Sequence, residues 1–442
     1  MIRVITYGTY DLLYHGHIRL LERAKSLGDY LIVGVTSDDF DKNRGKINVQ
    51  QSLMERIETL RQTGIPDEII VEEYEGQKID DIRRFNIDIF TVGSDWEGKF
   101  DYLSEYCKVV YLPRTEGVSS SEVRAEKRKI RMGFIGDYET RILIKYYNEC
   151  KFVNGIDIGG VCARNDEIKR VLNDEELYVT QNYEELLNVC DAVYILSHPS
   201  EHYEQIKKAI KHDVHVLCES PVALCSSQYK ELVNLAKAKN VVLMTSIKTA
   251  YSTAYYRLLL LVKSGRIGDI ISIDSTCTSI QEVDDLNFAW NSICLWGPTA
   301  LLPIFQIMGV NYTDARILSR LRNDNYDLFT KIDITYANST ASIKVGRGIK
   351  SEGEMVISGT KGYIYVPAPW WKTDYFEIRY EEASDNRRCF YPLEGEGIRY
   401  ELVDFVKTIN TGNESAYISN DVSSAICAVM KQFYDKENFI EI

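Results

Sequence analysis

The sequence predicts an α/β chain in three parts: a Rossmann-like unit, a second Rossmann-like unit, and a C-terminal α+β part with a mostly antiparallel sheet. Three observations carry this. Strand and helix signals alternate over the first 125 or so residues. The alternation restarts after the charged stretch "RAEKRKIR" at residues 124–131. From about residue 266 the runs become rich in β-branched and aromatic residues with turn signals between them. Strands alternating with helices imply a parallel sheet covered on both faces, whereas the later pattern suits an antiparallel one.

In the first part, "IRVITYG" reads as a buried strand and "HIRLLERAKSLG" as a helix with apolar residues at helical spacing, ending at Gly28. "YLIVGVTS" is a strand, "DDFDKNRGK" a polar, basic loop, and "SLMERIETLRQTG" a helix. "EIIVEE", "KIDDIRRFN" and "DIFTVGSD" follow as strand, helix and strand; "KVVYLPRTEG" closes the series and "SSSEVRAEKRK" opens another helix. The second part begins with strands "RMGFIG" and "GIDIGGVCA". It continues through helix "NYEELLN", strand "AVYILS", helix "EHYEQIKKAIK", strand "VHVLCES", helix "SSQYKELVNLAKAKN" and strand "VVLMTS". "DIISIDSTCTSI", "KIDITYANSTASIKVGR", "EMVISGTKGYIYVP" and "YFEIRYEE" are the strand runs of the third part, and helices "YELVDFVKTIN" and "SAICAVMKQFYD" finish it. The expected domains are 1–128, 130–250 and 251–442.

Bulk properties narrow the function classes. An apolar fraction of 45% over 442 residues lets each part bury a core. No run approaches the ~20 apolar residues of a membrane helix, and "MIRVITYG" lacks a signal-peptide layout, so a cytoplasmic protein without a membrane span is expected. Ten cysteines without CxxC spacing read as reduced core thiols, and six histidines in no ligand-like cluster argue against a dedicated metal site. A formal charge of -13 disfavours nucleic-acid binding while leaving room for a local basic pocket around a phosphorylated ligand.

The first strand runs directly into "GTYDLLYHGH", Gly8 to His17. In an open parallel sheet, ligands sit at the carboxyl ends of strands, where helix N-termini offer free N–H groups and partial positive charge. His17 stands where its imidazole can donate to a phosphate. The blocks "TYGTYDLL…GHIRLLERAKSLGDYLIVGVTSDDF", "GSDWEGKFDYL" and "VVYLPRTEGVSSSEVR" together resemble the glycerol-3-phosphate cytidylyltransferases of the HxGH nucleotidylyltransferase superfamily, over about residues 2–128.

The resemblance implies CMP transfer from CTP to a polyol phosphate, with Mg²⁺ accompanying the nucleotide. It assigns His17, Lys46 and Arg114 as catalytic phosphate donors. Gly8, Thr9, Tyr10, Tyr14, His15, Asp95, Thr115, Ser119 and Ser120, again with Arg114, fall to the nucleotide. Arg44, Lys46 and Arg56 fall to the substrate phosphate. Arg114 offers a planar fork and Lys46 a point charge. The chain departs from the family at position 14, where a histidine is replaced by Tyr14 and a histidine stands next door as His15. A phenol carries no positive charge at neutral pH, and losing a charged donor in such a site costs roughly 3 kcal/mol, about a hundredfold in rate. Arg44 is a second departure, since the family tends to carry lysine there.

"IRMGFIG", "DAVYILSHPSEHYEQIKKAIKHDVHVLCESP", "LVKSGRIGDIISID" and "ISGTKGYIYVP" resemble the glucose–fructose oxidoreductase and inositol dehydrogenase family, over about residues 130–440. The motifs that would carry its redox chemistry are altered. Only the first glycine of the dinucleotide turn remains in Gly136-Asp137-Tyr138-Glu139-Thr140-Arg141. Ala163 stands where an acid would hold the ribose, Ser220 replaces the lysine of the family's Glu-Lys-Pro triplet, and Leu295 and Thr299 replace an Asp and a His. NAD(P) is therefore not expected, and association through the sheet domain, which is common in that family, makes a homo-oligomer the expectation. Two alternatives stand beside a transferase with a redox-silent partner domain: a bifunctional transferase and NAD(P)-dependent polyol oxidoreductase, and a non-catalytic binding or regulatory protein.

Overall fold

A computed structural model describes residues 1–43, 49, 51–74, 76–113, 129–136, 140–163, 167–280, 290–323, 326–391, 393 and 395–442. The chain forms two compact units, Met1–Lys129 and Ile130–Ile442. The first is a five-stranded parallel sheet in the order β3-β2-β1-β4-β5, from β1 (Arg3–Gly8), β2 (Tyr30–Thr36), β3 (Glu68–Glu72), β4 (Ile89–Gly93) and β5 (Lys108–Leu112). Its helices are α1 (His15–Lys25), α2 (Asp38–Asn43), α3 (Leu53–Gln62) and α4 (Gln77–Phe85).

Successive residues of β1 serve opposite cores. Val4 packs with Leu21, Ala24 and Leu60 of α1 and α3, while Ile5 packs with Ile82 and Phe90 on the other face. That two-sided burial is why the strand reads as a continuous apolar run. The "DDFDKNRGK" stretch, expected as a loop, begins as helix α2. Ser37 starts it by accepting the Phe40 N–H (3.2 Å) on its hydroxyl and the Asp41 N–H (2.9 Å) on its carbonyl, which draws Phe40 and Asp41 into the interior.

The second unit carries two sheets. One is six-stranded and parallel, in the order β11-β10-β9-β6-β7-β8, from β6 (Ile130–Ile135), β7 (Ile156–Cys162), β8 (Val179–Thr180), β9 (Ala192–Ile195), β10 (His215–Glu219) and β11 (Leu243–Ser246). The other has nine strands in the order β19-β18-β17-β16-β12-β15-β14-β13-β20. These are β12 (Ile270–Thr278), β13 (Asp314–Asn323), β14 (Tyr326–Thr335), β15 (Thr340–Gly346), β16 (Met355–Gly359), β17 (Tyr363–Val366), β18 (Tyr375–Arg379), β19 (Arg387–Phe390) and β20 (Phe439–Glu441). Only β12–β15 and β13–β20 are parallel, so the sheet is mixed and mostly antiparallel.

Against the nine-stranded sheet lies the helix Ser292–Met308, which residue patterning left unassigned because Gly297, Pro298 and Pro303 interrupt it. Near-complete burial of its apolar residues, at about 1.5–3 kcal/mol for each large side chain, outweighs a penalty of about 3 kcal/mol for each of the two prolines. Aromatic packing continues nearby: Trp370 is fully buried and donates to the Thr276 carbonyl (3.1 Å), and the Trp296 and Trp371 rings lie 5.0 Å apart. No helix among the described residues is long and apolar enough to cross a membrane.

A polar network is sealed inside this unit. Glu401, on the helix Ile398–Thr411, accepts from Tyr146 and from Ser246 (3.1 Å), while Glu219 accepts from Tyr194 and the Tyr146 and Tyr194 rings stack at 4.1 Å. Burial pushes the Glu401 carboxyl up to about 8, so the neutral acid is its form at pH 7. Its Oε1 has no hydrogen-bond partner among the described residues, which a neutral acid tolerates better than a carboxylate would. Because this folded-state value lies above the unfolded one of 4.5, the contribution to stability is fully present below pH 4.5 and is lost as pH rises toward about 8. Glu401→Gln, which keeps the neutral shape and does not titrate, is expected to gain stability relative to the parent between pH 5 and 8, by up to about 1.4 kcal/mol per pH unit. Urea unfolding of both proteins across that range checks it; parallel pH dependences would show that Glu401 does not titrate with folding.

Candidate functional site

In the first unit the chain order reverses between β1 and β4, which are neighbours in the sheet. Their register pairs Val4 with Ile89 and Ile5 with Phe90, and continuing it brings Gly8 level with Gly93. The segments leaving these two ends, residues 9–14 and Ser94–Trp96, therefore flank the crevice where an open parallel sheet binds its ligands.

Helix α1 opens on that edge. Tyr14 is its N-cap and makes no side-chain cap hydrogen bond, and the first turn holds no acidic residue. The helix's own cap and first turn thus place no acidic side chain against its partial positive charge. The Tyr14 ring folds back over the helix start, 4.2 Å from the His17 ring. It comes so close to Gly16 that a Cβ there would lie 2.5 Å from it, so this tyrosine requires that glycine. The Nδ1 edge of His17 is buried. His15, the first residue of α1, is exposed.

The loop before α1 is held from below. Tyr10 and Leu12 have left-handed backbones (φ 54° and 47°), a conformation that costs a non-glycine residue of order 1 kcal/mol or more. Gln51 stabilises it twice, accepting the Leu12 N–H (2.7 Å) and donating its own N–H to Asp11 (3.0 Å). Thr9 donates to Asp41 (2.9 Å), and so does Thr36 (2.6 Å).

Three residues expected at the ligands, Gly8, Tyr10 and Arg56, also serve the fold. Tyr10 is 3% exposed and packs in the core with Leu21 and Val33, where burial pushes its phenol pKa upward. Gly8 is small because a Cβ there would lie 2.9 Å from the Tyr10 ring. Arg56 is fully buried. It donates to the carbonyls of Thr9 (2.8 Å), Thr36 (2.9 Å) and Gln51 (3.2 Å), pairs with Asp38, and lies 3.5 Å from Asp41. These acceptors take most of its N–H groups. Asp95 is exposed on the turn after β4. Arg44, Lys46, Arg114, Thr115, Ser119 and Ser120 lie outside the described residues. Patterning missed Asp41, Asp38 and Gln51, because nothing in a lone acid or amide of a polar loop marks it as a partner of a distant buried arginine.

A family model described as cytidylyltransferase-like matches residues 5–126. The glycerol-3-phosphate cytidylyltransferase of Bacillus subtilis (strain 168) is 51% identical over 129 residues, 28% of this chain and 97% of that protein. That of Staphylococcus aureus is 47% identical over 130 residues, covering 28% and 95% respectively. The chain belongs to the glycerol-3-phosphate cytidylyltransferase family. As a cytidylyltransferase-like protein it is a nucleotidyltransferase in its first unit.

Beyond the cytidylyltransferase unit, residues 130–247 match a model described as the oxidoreductase family with NAD-binding Rossmann fold. The second unit shares its fold with KijD10, a 3-ketoreductase from Actinomadura kijaniata solved with NADP and TDP-benzene. The TM-score is 0.63 at 16% identity, covering 71% of this chain and 100% of that one. A UDP-N-acetylglucosamine 3-dehydrogenase from Acidithiobacillus ferrooxidans gives 0.57 at 18%, covering 70% and 98%.

At the carboxyl edge of the six-stranded sheet, Gly136 has φ 124°, and a Cβ there would meet the Leu196–Ser197 backbone at 2.7 Å. Strand packing alone accounts for this glycine. Ser220 is buried, and the buried His202 ring stands 2.8 Å from the Pro221 carbonyl and 2.7 Å from that of Ser197, with burial holding its pKa down to about 4. Ala163 is half-buried at the end of β7, and Leu295 and Thr299 are half-buried on the helix Ser292–Met308. Residues 137–139 lie outside the described residues. Lys248, which patterning did not single out, forms an ion pair with Glu396 (2.6 Å), as do Lys145 and Lys372 (both 3.0 Å). Partial burial pushes the Glu396 carboxyl up, but the lysines outweigh it and hold the group down at about 2.

Arg56→Met is expected to destabilise the cytidylyltransferase unit by about 3–5 kcal/mol, because it leaves Asp41 buried without its cation. Hydrogen exchange of β1 and α1 measures this directly; unchanged protection would show that the arginine does not hold the loop.

Proposed function

We propose that the cytidylyltransferase unit transfers CMP from CTP to glycerol 3-phosphate or a closely related polyol phosphate, giving a CDP-polyol and pyrophosphate. The observation that carries this is the uncapped start of α1, with His17 beside it, at the reversal point of a chain about half identical to glycerol-3-phosphate cytidylyltransferases along nearly their whole length. A phosphate oxygen of the acceptor attacks the α-phosphorus of CTP. The new P–O bond forms as the bond to the bridging α–β oxygen breaks, and pyrophosphate leaves with the electron pair. No covalent intermediate on the protein is required. What the chain supplies is position and countercharge.

In this reading the N–H groups of α1 and His17 Nε2 face the nucleotide phosphates. Lys46, Arg114, Ser119 and Ser120 complete the donor set, Arg44 and Lys46 hold the acceptor phosphate, and Asp95 lies near the nucleoside. Mg²⁺ comes with the CTP and takes most of its ligands from phosphate and water, so the site needs few carboxylates for it. The Asp41–Arg56–Gln51 bracket does not touch substrate; it positions Thr9 and the loop into α1. Such a product feeds the synthesis of teichoic-acid-like polymers or capsules, in the cytoplasm, and the working form is a homo-oligomer.

For the second unit, we propose a retained fold without redox chemistry. Ser220, Ala163, Leu295 and Thr299 are the support. The runner-up is a working NADP-dependent domain, favoured by the solved NADP complex of a protein with the same fold. NADPH fluorescence separates the two: no emission change on titration fits the proposal, and saturable enhancement sinks it.

Pyrophosphate release from CTP and Mg²⁺ is expected with sn-glycerol 3-phosphate or one of a panel of pentitol and hexitol phosphates, and is expected to vanish in His17→Ala. A folded protein silent with all of them would remove the transferase reading. Tyr14→His restores a charged or strongly polar donor beside His17 and is expected to raise kcat by about tenfold to a hundredfold. An unchanged kcat would mean that position 14 does not touch the phosphates.

A further inference from the structure

A cavity of about 330 Å³ opens in the second unit between the helix Ser226–Lys239, strand β11 and the segment 412–420. That volume is within the range of small-molecule sites. It is separate from the crevice of the six-stranded sheet, because it follows the free side of β11, the sheet's last strand.

Backbone geometry sets what this cavity offers. Val216 donates to the Val242 carbonyl (2.7 Å) and Ser220 to the Ser246 carbonyl (3.1 Å), so the even-numbered residues of this strand serve β10. Alternate residues of a strand turn their N–H and C=O the opposite way. Leu243 and Thr245 therefore present theirs to the cavity that they line, and no strand among the described residues lies on that side. Edge groups of this kind hydrogen-bond to whatever fills the cavity, water or ligand.

The remaining lining adds uncharged hydrogen-bonding groups. Tyr229 donates to Asn420 (2.8 Å), Thr245 adds a hydroxyl that lies 2.8 Å from that of Ser423 outside the lining, and Asn240 and Asn413 add carboxamides. Among the described residues Lys237 and Glu414 are the charged members of the lining, and they pair with each other at 3.1 Å. An anion entering here would have to compete with Glu414 for the one ammonium. Val233 and Ile418 supply an apolar wall.

We infer that this cavity binds a neutral polyhydroxylated ligand, a sugar or polyol without phosphate. Alternating donors and acceptors from strand edge, hydroxyls and carboxamides match a ring of hydroxyl groups, the apolar wall matches its C–H face, and the balanced charge selects against phosphorylated forms. The inference is independent of the transfer reaction, since none of its residues belongs to the first unit.

Met244 lines the cavity and is one of seven methionines, so its methyl group is a local reporter. The full chain, labelled with [¹³C-methyl]methionine and assigned through Met244→Leu, would be titrated with ribitol, glucose and N-acetylglucosamine. Glycerol 3-phosphate and an acetylated alanine tetrapeptide amide would serve as comparators. The expected result is a saturable shift of the Met244 resonance with at least one neutral sugar or polyol, no shift with glycerol 3-phosphate, and loss of the shift in Asn413→Trp. Asn413 is exposed, so that substitution narrows the mouth without disturbing the core. His17→Ala is expected to behave as the parent does. A resonance unmoved by all three sugars, moved equally by the phosphate, or still moved in Asn413→Trp overturns the inference. A response to the tetrapeptide alone overturns it in favour of strand addition.

Discussion

A guanidinium removed from solvent must find its acceptors inside the protein, and Arg56 finds them on four separate segments. The Thr9 carbonyl belongs to the loop after β1, the Thr36 carbonyl ends β2, Asp38 and Asp41 lie on α2, and the Gln51 carbonyl precedes α3. One planar group thus fixes the relative positions of the segments that converge on the start of α1. The rest of the site depends on that constraint, because the two left-handed residues of the loop would relax if nothing held them. A buried charge of this kind is costly to strip of any one partner, so the arrangement is stable as a set.

In the second unit the same residue type takes two states a few residues apart. Glu396, among three lysines, is a carboxylate far into the acid range, while Glu401, among tyrosines and a serine, is a neutral acid. The difference lies wholly in the neighbours: positive charge offsets desolvation for one, and hydroxyl groups do not for the other. Polar residues are kept inside this unit, but their arrangement is one of tight internal pairing.

The architecture was legible because each parallel strand is buried on both faces and so writes an apolar run into the chain, as Val4 and Ile5 do by serving opposite cores. The helix Ser292–Met308 was not, since two prolines and a glycine mask a segment whose helicity comes from burial. In the site, motif order located Gly8 to His17 correctly at the carboxyl edge of the sheet. It did not show which of these residues also shape the loop. Tyr10 and Arg56 read as ligand groups because a phenol and a guanidinium suit phosphates. Only three-dimensional burial shows that the first fills a core and the second braces a turn. Glu401 was also invisible, standing in an apolar helical stripe with Ile398, Leu402 and Phe405 where its carboxyl reads as an exception.

The distribution of indole rings divides the two units optically. Trp96 is the only tryptophan of the first unit, and the other four of the chain lie in the second, with Trp370 wholly enclosed and Trp296 packed against Trp371. Intrinsic emission is therefore weighted toward the second unit. A melting or denaturation curve followed at these wavelengths reports the nucleotidyltransferase unit through one indole of five, so its unfolding contributes only a minor part of the signal. Spectroscopic stability and enzymatic half-life then become separate quantities in this chain.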